Sequence, residues 1–257
     1  MKIRVISGII GLIFLLIVVF TGGILLNIGV FTMATIGIYE YNRAIKSMGF
    51  NPISKMSYVF SLAFFLSELI ELRNYHSPLI FCYTIILLII MVFKKEIRPQ
   101  DIAMNLLGSI YIVFFIFHVQ FMAGSIYIWI IFITAWATDT FAYFTGMFFG
   151  KNKLCPTLSP KKTIEGSIGG TLGSFVVTFI FVKAIGTGNL LQLLPLSIIC
   201  AIIAQLGDLT ASKIKRIASI KDYGSIMPGH GGVLDRFDSI LFTAPTVYYY
   251  MTIFVLR

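Results

Sequence analysis

Long apolar runs alternate along this chain with short polar interruptions, and the runs are too long for buried strands. About 20 apolar residues are needed to cross a bilayer as a helix. Set against their interruptions, the runs predict spans near residues 5–22, 24–42, 57–72, 78–93, 103–121, 124–147, 166–185, 190–210 and 238–256. The first two are joined by almost no loop, and the third is short and carries Glu68 and Glu71. The prediction is an all-α, polytopic integral membrane protein of about nine helices in a single domain over 1–257. The N-terminal helices, 1–121, serve as scaffold and possible dimer surface; the C-terminal helices, 122–257, carry the chemistry with loops 148–165 and 211–237. Lys2 and Arg4 precede the first run, but no small-residue cleavage site follows, so the run reads as a first span rather than a secretion signal.

Composition agrees. Hydrophobic residues make up 58% of the chain and charged residues 12%, against roughly 25% charge in an average soluble domain; the mean hydropathy is +0.92. A net charge of +9 does not indicate nucleic acid, because the cations sit in short loops between spans. With the N-terminus in the cytoplasm, every Lys and Arg except Arg73, Lys183 and Arg257 falls on the inner side. That asymmetry is what the positive-inside rule predicts, and it puts loops 148–165 and 211–237 on the same, cytoplasmic face. Cys82, Cys155 and Cys200 are odd in number and widely spaced, so neither a disulfide framework nor a cysteine metal site is indicated.

Chemistry is concentrated in the polar run from Ser212 to Asp238. Charges beside membrane helices persist where they meet water, ions or charged substrates. Asp235 and Asp238, three residues apart, share a face if a helix begins there. Asp208 stands at the inner end of the preceding span, and Asp139 lies late in the sixth, each either a helix cap or interhelical bond or a functional carboxylate. Asp208, Asp235 and Asp238 offer hard oxygen ligands for Mg2+, which favours one or two carboxylates with water and phosphate oxygens; a second cation, monovalent or divalent, is left open. Lys213, Lys215, Arg216 and Lys221 in the run, with Lys161 and Lys162 in the earlier loop, are suited to phosphate. The turn Pro228 to Gly232 lets backbone amides approach a ligand and carries His230, while His76 and His118 read as bystanders without polar company. Gly146 to Asn152 fails as a phosphate loop by spacing, and Gly166 and Gly170 read as a helix-packing pair.

Ser212, Lys215, Arg216, Lys221, Asp222, His230, Gly231, Gly232, Asp235, Arg236 and Asp238 together resemble the signature of the phosphatidate cytidylyltransferases, the CDP-diacylglycerol synthases. WATDTFAYFTGMFFGKNKL and SPKKTIEGSIGG resemble a second stretch of that family, with Phe141 and Ile164 as departures. The resemblance covers most of 136–238. It implies an all-helical, dimeric, magnesium-dependent enzyme of the inner membrane that converts CTP and phosphatidate into CDP-diacylglycerol and diphosphate. It places metal ligands on Asp208 and Asp235, with Asp238 close by. Lys215, Arg216, Lys221, His230 and Arg236 are then the catalytic candidates. Lys161, Lys162, Ser212, Lys213, Gly231 and Gly232 are the phosphate-binding candidates, and Asp139 and Asp222 are additional ones. Another CTP- or polyprenol-phosphate-using membrane transferase or kinase is the nearer alternative. An ion-coupled transporter is the more distant one, disfavoured by charges concentrated on one face and by the lack of a repeated half.

Overall fold

Helices occupy each of the nine predicted runs in the computed structural model, which describes residues 2–72, 75–186, 189–227, 229 and 231–256. In chain order these are α1 (Lys2–Thr21), α2 (Gly23–Ser47), α3 (Ser54–Leu69), α4 (His76–Phe93) and α5 (Pro99–Gly108). A π turn, Ser109–Phe114, joins α5 to α6 (Phe115–Phe121), and α7 (Ile128–Phe149) follows. After β1 (Lys153–Cys155) and β2 (Ser159–Thr163) come α8 (Ile164–Ile185), α9 (Leu190–Ile217) and α10 (Leu234–Tyr250), the last continuing as a π turn over Met251–Val255. Among the described residues, six helical stretches are long and apolar enough to cross a membrane: α2, α4, α5 through α6, α7, α8 and α9. Nine runs are helical as predicted, and six of them meet length and hydropathy together. Of the other three, α3 has only 16 residues, about 24 Å at 1.5 Å per residue, and α10 opens with acids.

The chain forms two compact units, Met1–Ala123 with Ile217–Arg236, and Gly124–Arg216 with Phe237–Arg257. Large apolar side chains face outward in both: Phe93 is 82% exposed and Leu191 84%. Such exposure is foreign to a water-soluble surface and suits lipid.

Within the first unit, polar residues tie the helices. Ser57 donates to Asn105 Oδ1 at 2.7 Å, and the Tyr83 and Ser109 hydroxyls pair at 2.7 Å, all four residues being buried. Membrane helices lack a hydrophobic drive toward one another, so such bonds and close packing hold them. The reading of His76 and His118 as isolated is corrected here. His76 Nε2 lies 3.1 Å from Glu68 Oε1 and 3.2 Å from Ser67 Oγ, with its ring stacked on Phe64 and Phe121. His118 Nδ1 is 2.7 Å from the Phe114 carbonyl oxygen. Both histidines are distant in sequence from the loops that drew attention, and their partners come from folding.

Within the second unit, α7 and α8 pack through small residues. A Cβ on Gly166 would stand 2.7 Å from the Ala142 carbonyl oxygen, and one on Gly170 2.7 Å from that of Thr138. Any side chain there would force the backbones apart, so the Gly166 and Gly170 pair packs helices as its spacing predicts. The connection between these helices, expected without strands, pairs with itself as the β1–β2 antiparallel hairpin. Its amides thereby find partners. Thr163 Oγ1 accepts from Gly166 N at 3.1 Å, capping α8. The Glu165 carboxylate accepts from the backbone amides of Lys151 and Asn152 and, at 2.8 Å, from Asn152 Nδ2.

Candidate functional site

The candidate residues fall into two groups, one in each unit. In the second unit, the controlling contact is between α9 and α10. Gly207 has no side chain to separate them: a Cβ there would lie 2.6 Å from the Asp238 carbonyl oxygen. This close approach brings the next residue, Asp208, within electrostatic reach of Asp238, and Asp139 and Lys215 act on Asp238 as well. Asp238 is only 9% exposed and accepts from its neighbour Ser239 N at 2.8 Å. Ser239 Oγ in turn donates to Asp139 Oδ2 at 3.3 Å, so Asp139 makes the interhelical bond that was one of its two readings. Lys162, carried on β2, forms an ion pair with Asp208, and Ser212 Oγ, one turn after Asp208, donates to its Oδ1 at 3.4 Å.

The remaining cations of this unit lie around that core. Arg216 Nε donates to the Leu158 carbonyl oxygen in the hairpin turn at 3.4 Å, holding the hairpin toward the end of α9. Lys161 and Lys213 are exposed. The cluster is thus carboxylate-rich at depth and cationic at its surface. Three carboxylates of like charge raise one another's energy in surroundings of reduced dielectric, an arrangement that suits a bound cation. Among the described residues, no three His, Cys, Asp or Glu side chains stand close enough to enclose a metal ion by themselves. The donor set therefore fits Mg2+ only in the manner that ion prefers, with few carboxylates and the other positions left to water or phosphate.

In the first unit, the loop preceding α10 is built around a residue that sequence reasoning passed over. Glu40, in the last third of α2, is 1% exposed. Its two carboxylate oxygens accept from Val233 N at 3.0 Å and Leu234 N at 2.9 Å, supplying from another helix the cap that α10 needs for its first amides. A Cβ on Gly232 would lie 2.3 Å from Glu40 Oε1, and one on Gly224 2.1 Å from it, so glycine is required at both positions for the loop to close on the carboxylate. Arg43, one turn further along α2, donates to the Tyr223 carbonyl oxygen. Ser47 Oγ donates to that of Ala218 at 3.1 Å.

Asp235 serves the same loop. Its Oδ2 accepts from Tyr223 N at 2.8 Å and Gly232 N at 2.9 Å. Gly231 adopts φ +90° and Gly229 φ +76°, conformations that side chains with a Cβ rarely reach. Lys221, Asp222, Ser225 and Arg236 line, with these glycines, a cavity of about 380 Å³. Pro228 and His230 lie outside the described residues. The segment 217–236 joins the first unit because α2 holds it through Glu40, Arg43 and Ser47. The warning sign in the sequence was an acid at position 40 inside a run otherwise read as a span.

Residues 2–254 match the model of the cytidylyltransferase family, and the chain belongs to that family: it is a multi-pass membrane enzyme of the nucleotidyltransferase class. It is 36% identical over 255 residues to the phosphatidate cytidylyltransferase of Staphylococcus haemolyticus, covering 95% of this chain and 96% of that protein. To the phosphatidate cytidylyltransferase of Staphylococcus aureus it is 35% identical over 257 residues, covering 95% and 96% respectively. With the Bacillus subtilis protein of the same name it shares 31% identity over 266 residues, covering 99% and 98%.

Proposed function

We propose that this enzyme transfers the cytidylyl group of CTP to phosphatidate, giving CDP-diacylglycerol and diphosphate for phospholipid synthesis. The relatives' shared name over nearly the whole chain supports the substrates. The observation that carries the chemistry is the meeting of Lys162 with Asp208 beside the buried Asp238, where a polyanion and the cation that accompanies it can both be held. Asp208 and Asp238 are the residues that would hold Mg2+; Asp235, which the resemblance also implies, is engaged with the amides of Tyr223 and Gly232. The ion's contribution is to offset negative charge on the phosphates of CTP.

The chain's own groups do the rest. Lys162, held beside the carboxylate cluster by its pair with Asp208, supplies an ammonium for a phosphate, with Lys161, Lys213 and Lys215 adding positive charge. Lys221, Arg236 and the amides of Gly231 and Gly232 receive phosphate oxygens at the loop. Arg216 is assigned to the phosphates near Lys162, His230 by the resemblance to those at the loop, and Asp222 to orienting the loop's cations. A phosphatidate oxygen attacks the α-phosphorus in line as the bond to diphosphate breaks. Because a phosphate monoester is already largely ionised near neutral pH, no strong general base is required, and positioning with charge neutralisation lowers the barrier. Phosphatidate stays in the bilayer while CTP comes from water, so the enzyme works in the inner membrane with these loops facing the cytoplasm; the resemblance implies that it does so as a homodimer. Purified enzyme in lipid, given labelled CTP and phosphatidate, tests this reading: CDP-diacylglycerol forms with Mg2+ and does not form after chelation. Absence of product under both conditions overturns it.

A further inference from the structure

A second concentration of positive charge lies in the first unit, at the α2–α3 and α4–α5 connections. The α2–α3 and α4–α5 connections together line a cavity of about 340 Å³. Lys46 from the end of α2, Lys55 from the first turn of α3 and Lys94 just after α4 supply its cationic groups, with no acid among its lining residues. Among the described residues, none of the three ammonium groups has a carboxylate within ion-pair distance.

The nearby acid is already committed. Asp101, fully buried, accepts from Asn51 N at 2.7 Å and pairs with Arg98 Nε at 3.2 Å, and Arg98 Nη2 donates to the Gly49 carbonyl oxygen at 2.9 Å. These bonds brace the cavity wall without neutralising the lysines. Three like charges around one concavity repel unless an anion joins them. The cavity also has an apolar part, half-buried Ile53 and Ile97. It adjoins the last turn of α4, where Val92 is 74% and Phe93 82% exposed, in the position of a helix end meeting hydrocarbon.

We propose that this cavity binds the phosphate headgroup of an anionic phospholipid, taken sideways from the leaflet in which these two connections lie. The lysines hold the phosphate, and the apolar floor with the exposed end of α4 accepts the glycerol and the start of the acyl chains. A free inorganic phosphate shares the charge but has no use for the apolar floor. The bound lipid ties the end of α2 to the α4–α5 connection. It does so beside Ser47, the residue that holds Ala218 at the start of the loop segment.

The test is lipid retention by the full-length protein in neutral detergent, read by native mass spectrometry. The probes are dioctanoyl phosphatidylglycerol, the corresponding phosphatidylcholine and inorganic phosphate. The wild type is expected to retain phosphatidylglycerol in preference to phosphatidylcholine. Each Lys→Gln replacement should weaken retention about fivefold, and K46Q/K55Q/K94Q about a hundredfold, with the melting transition unchanged. Unchanged retention in the triple variant overturns the proposal. So does displacement of the lipid by millimolar inorganic phosphate, which would mark a soluble-anion site. Should the triple variant fold poorly, K94Q alone decides on the same fivefold criterion.

Discussion

Glu40 and Asp238 are both buried carboxylates on helices, yet their surroundings are opposite. Glu40 receives two backbone amides and is flanked by glycines that close around it. Asp238 faces the carboxylates of Asp208 and Asp139, with Lys215 as a partial counterweight. A buried acid given amide donors is satisfied within the fold, and its work is to hold a loop and the start of a helix. A buried acid set among other acids carries like-charge repulsion, which in the proposed function a bound cation offsets. The contrast separates a residue that shapes the enzyme from those the proposed function assigns to the cation, although both are aspartate or glutamate in apolar company.

This contrast yields measurable differences. Asp238→Asn and Asp208→Asn should each lower turnover about a thousandfold or more, in line with the loss of a central electrostatic group, while leaving the melting transition close to that of the wild type. Near-normal activity in either would place the carboxylate outside the reaction. Glu40→Ala should act in the reverse sense. Two buried amides lose their acceptor at about 1–3 kcal/mol each, which for a chain of this size lowers the melting transition by about 5–10 °C. Turnover falls with it, and Glu40→Gln recovers part of both.

Gly207→Leu should separate α9 from α10. Overpacking costs about 1–3 kcal/mol, and turnover should drop about a hundredfold because a misplacement of about 1 Å is that costly to positioned groups. The smallest effect belongs to Lys162→Gln, whose partly exposed ion pair contributes about 1 kcal/mol or less to stability. There the expected change is about a tenfold rise in the KM for CTP with an unchanged melting transition. A larger loss of stability than of affinity would make Lys162 a structural residue.

Much of this could be read before folding. Each apolar run marked a helix, and the polar stretch from Ser212 to Asp238 marked the region to which the proposed chemistry is assigned, because charge is costly beside hydrocarbon and therefore conspicuous. The α7–α8 contact was legible in Gly166 and Gly170, since only small residues allow such an approach. Glu40 was not legible as a loop anchor: its partners, Val233 and Leu234, contribute backbone amides, which leave no trace in residue type. His76 was hidden for a related reason, for its tie to Glu68 depends on how α3 and α4 pair. The hairpin over 153–163 escaped because lysines and two prolines, Pro156 and Pro160, dominate it, and its strands answer to backbone pairing rather than to alternation. The crossing count is where the two readings part: nine runs are helical, and among the described residues six of them meet both length and hydropathy for a crossing, α3 being apolar but short.

The central claim, that carboxylates gathered by α9 and α10 hold the cation on which cytidylyl transfer depends, is tested most directly by following labelled CTP and phosphatidate with purified enzyme in lipid as Mg2+ is titrated. For the wild type the account predicts CDP-diacylglycerol formation that saturates with Mg2+ and stops on chelation. For folded Asp208→Asn and Asp238→Asn it predicts turnover at least about a thousandfold below the wild type at every Mg2+ concentration. Full turnover by the chelated wild type, or by the two variants at the same Mg2+ requirement as the wild type, would contradict it.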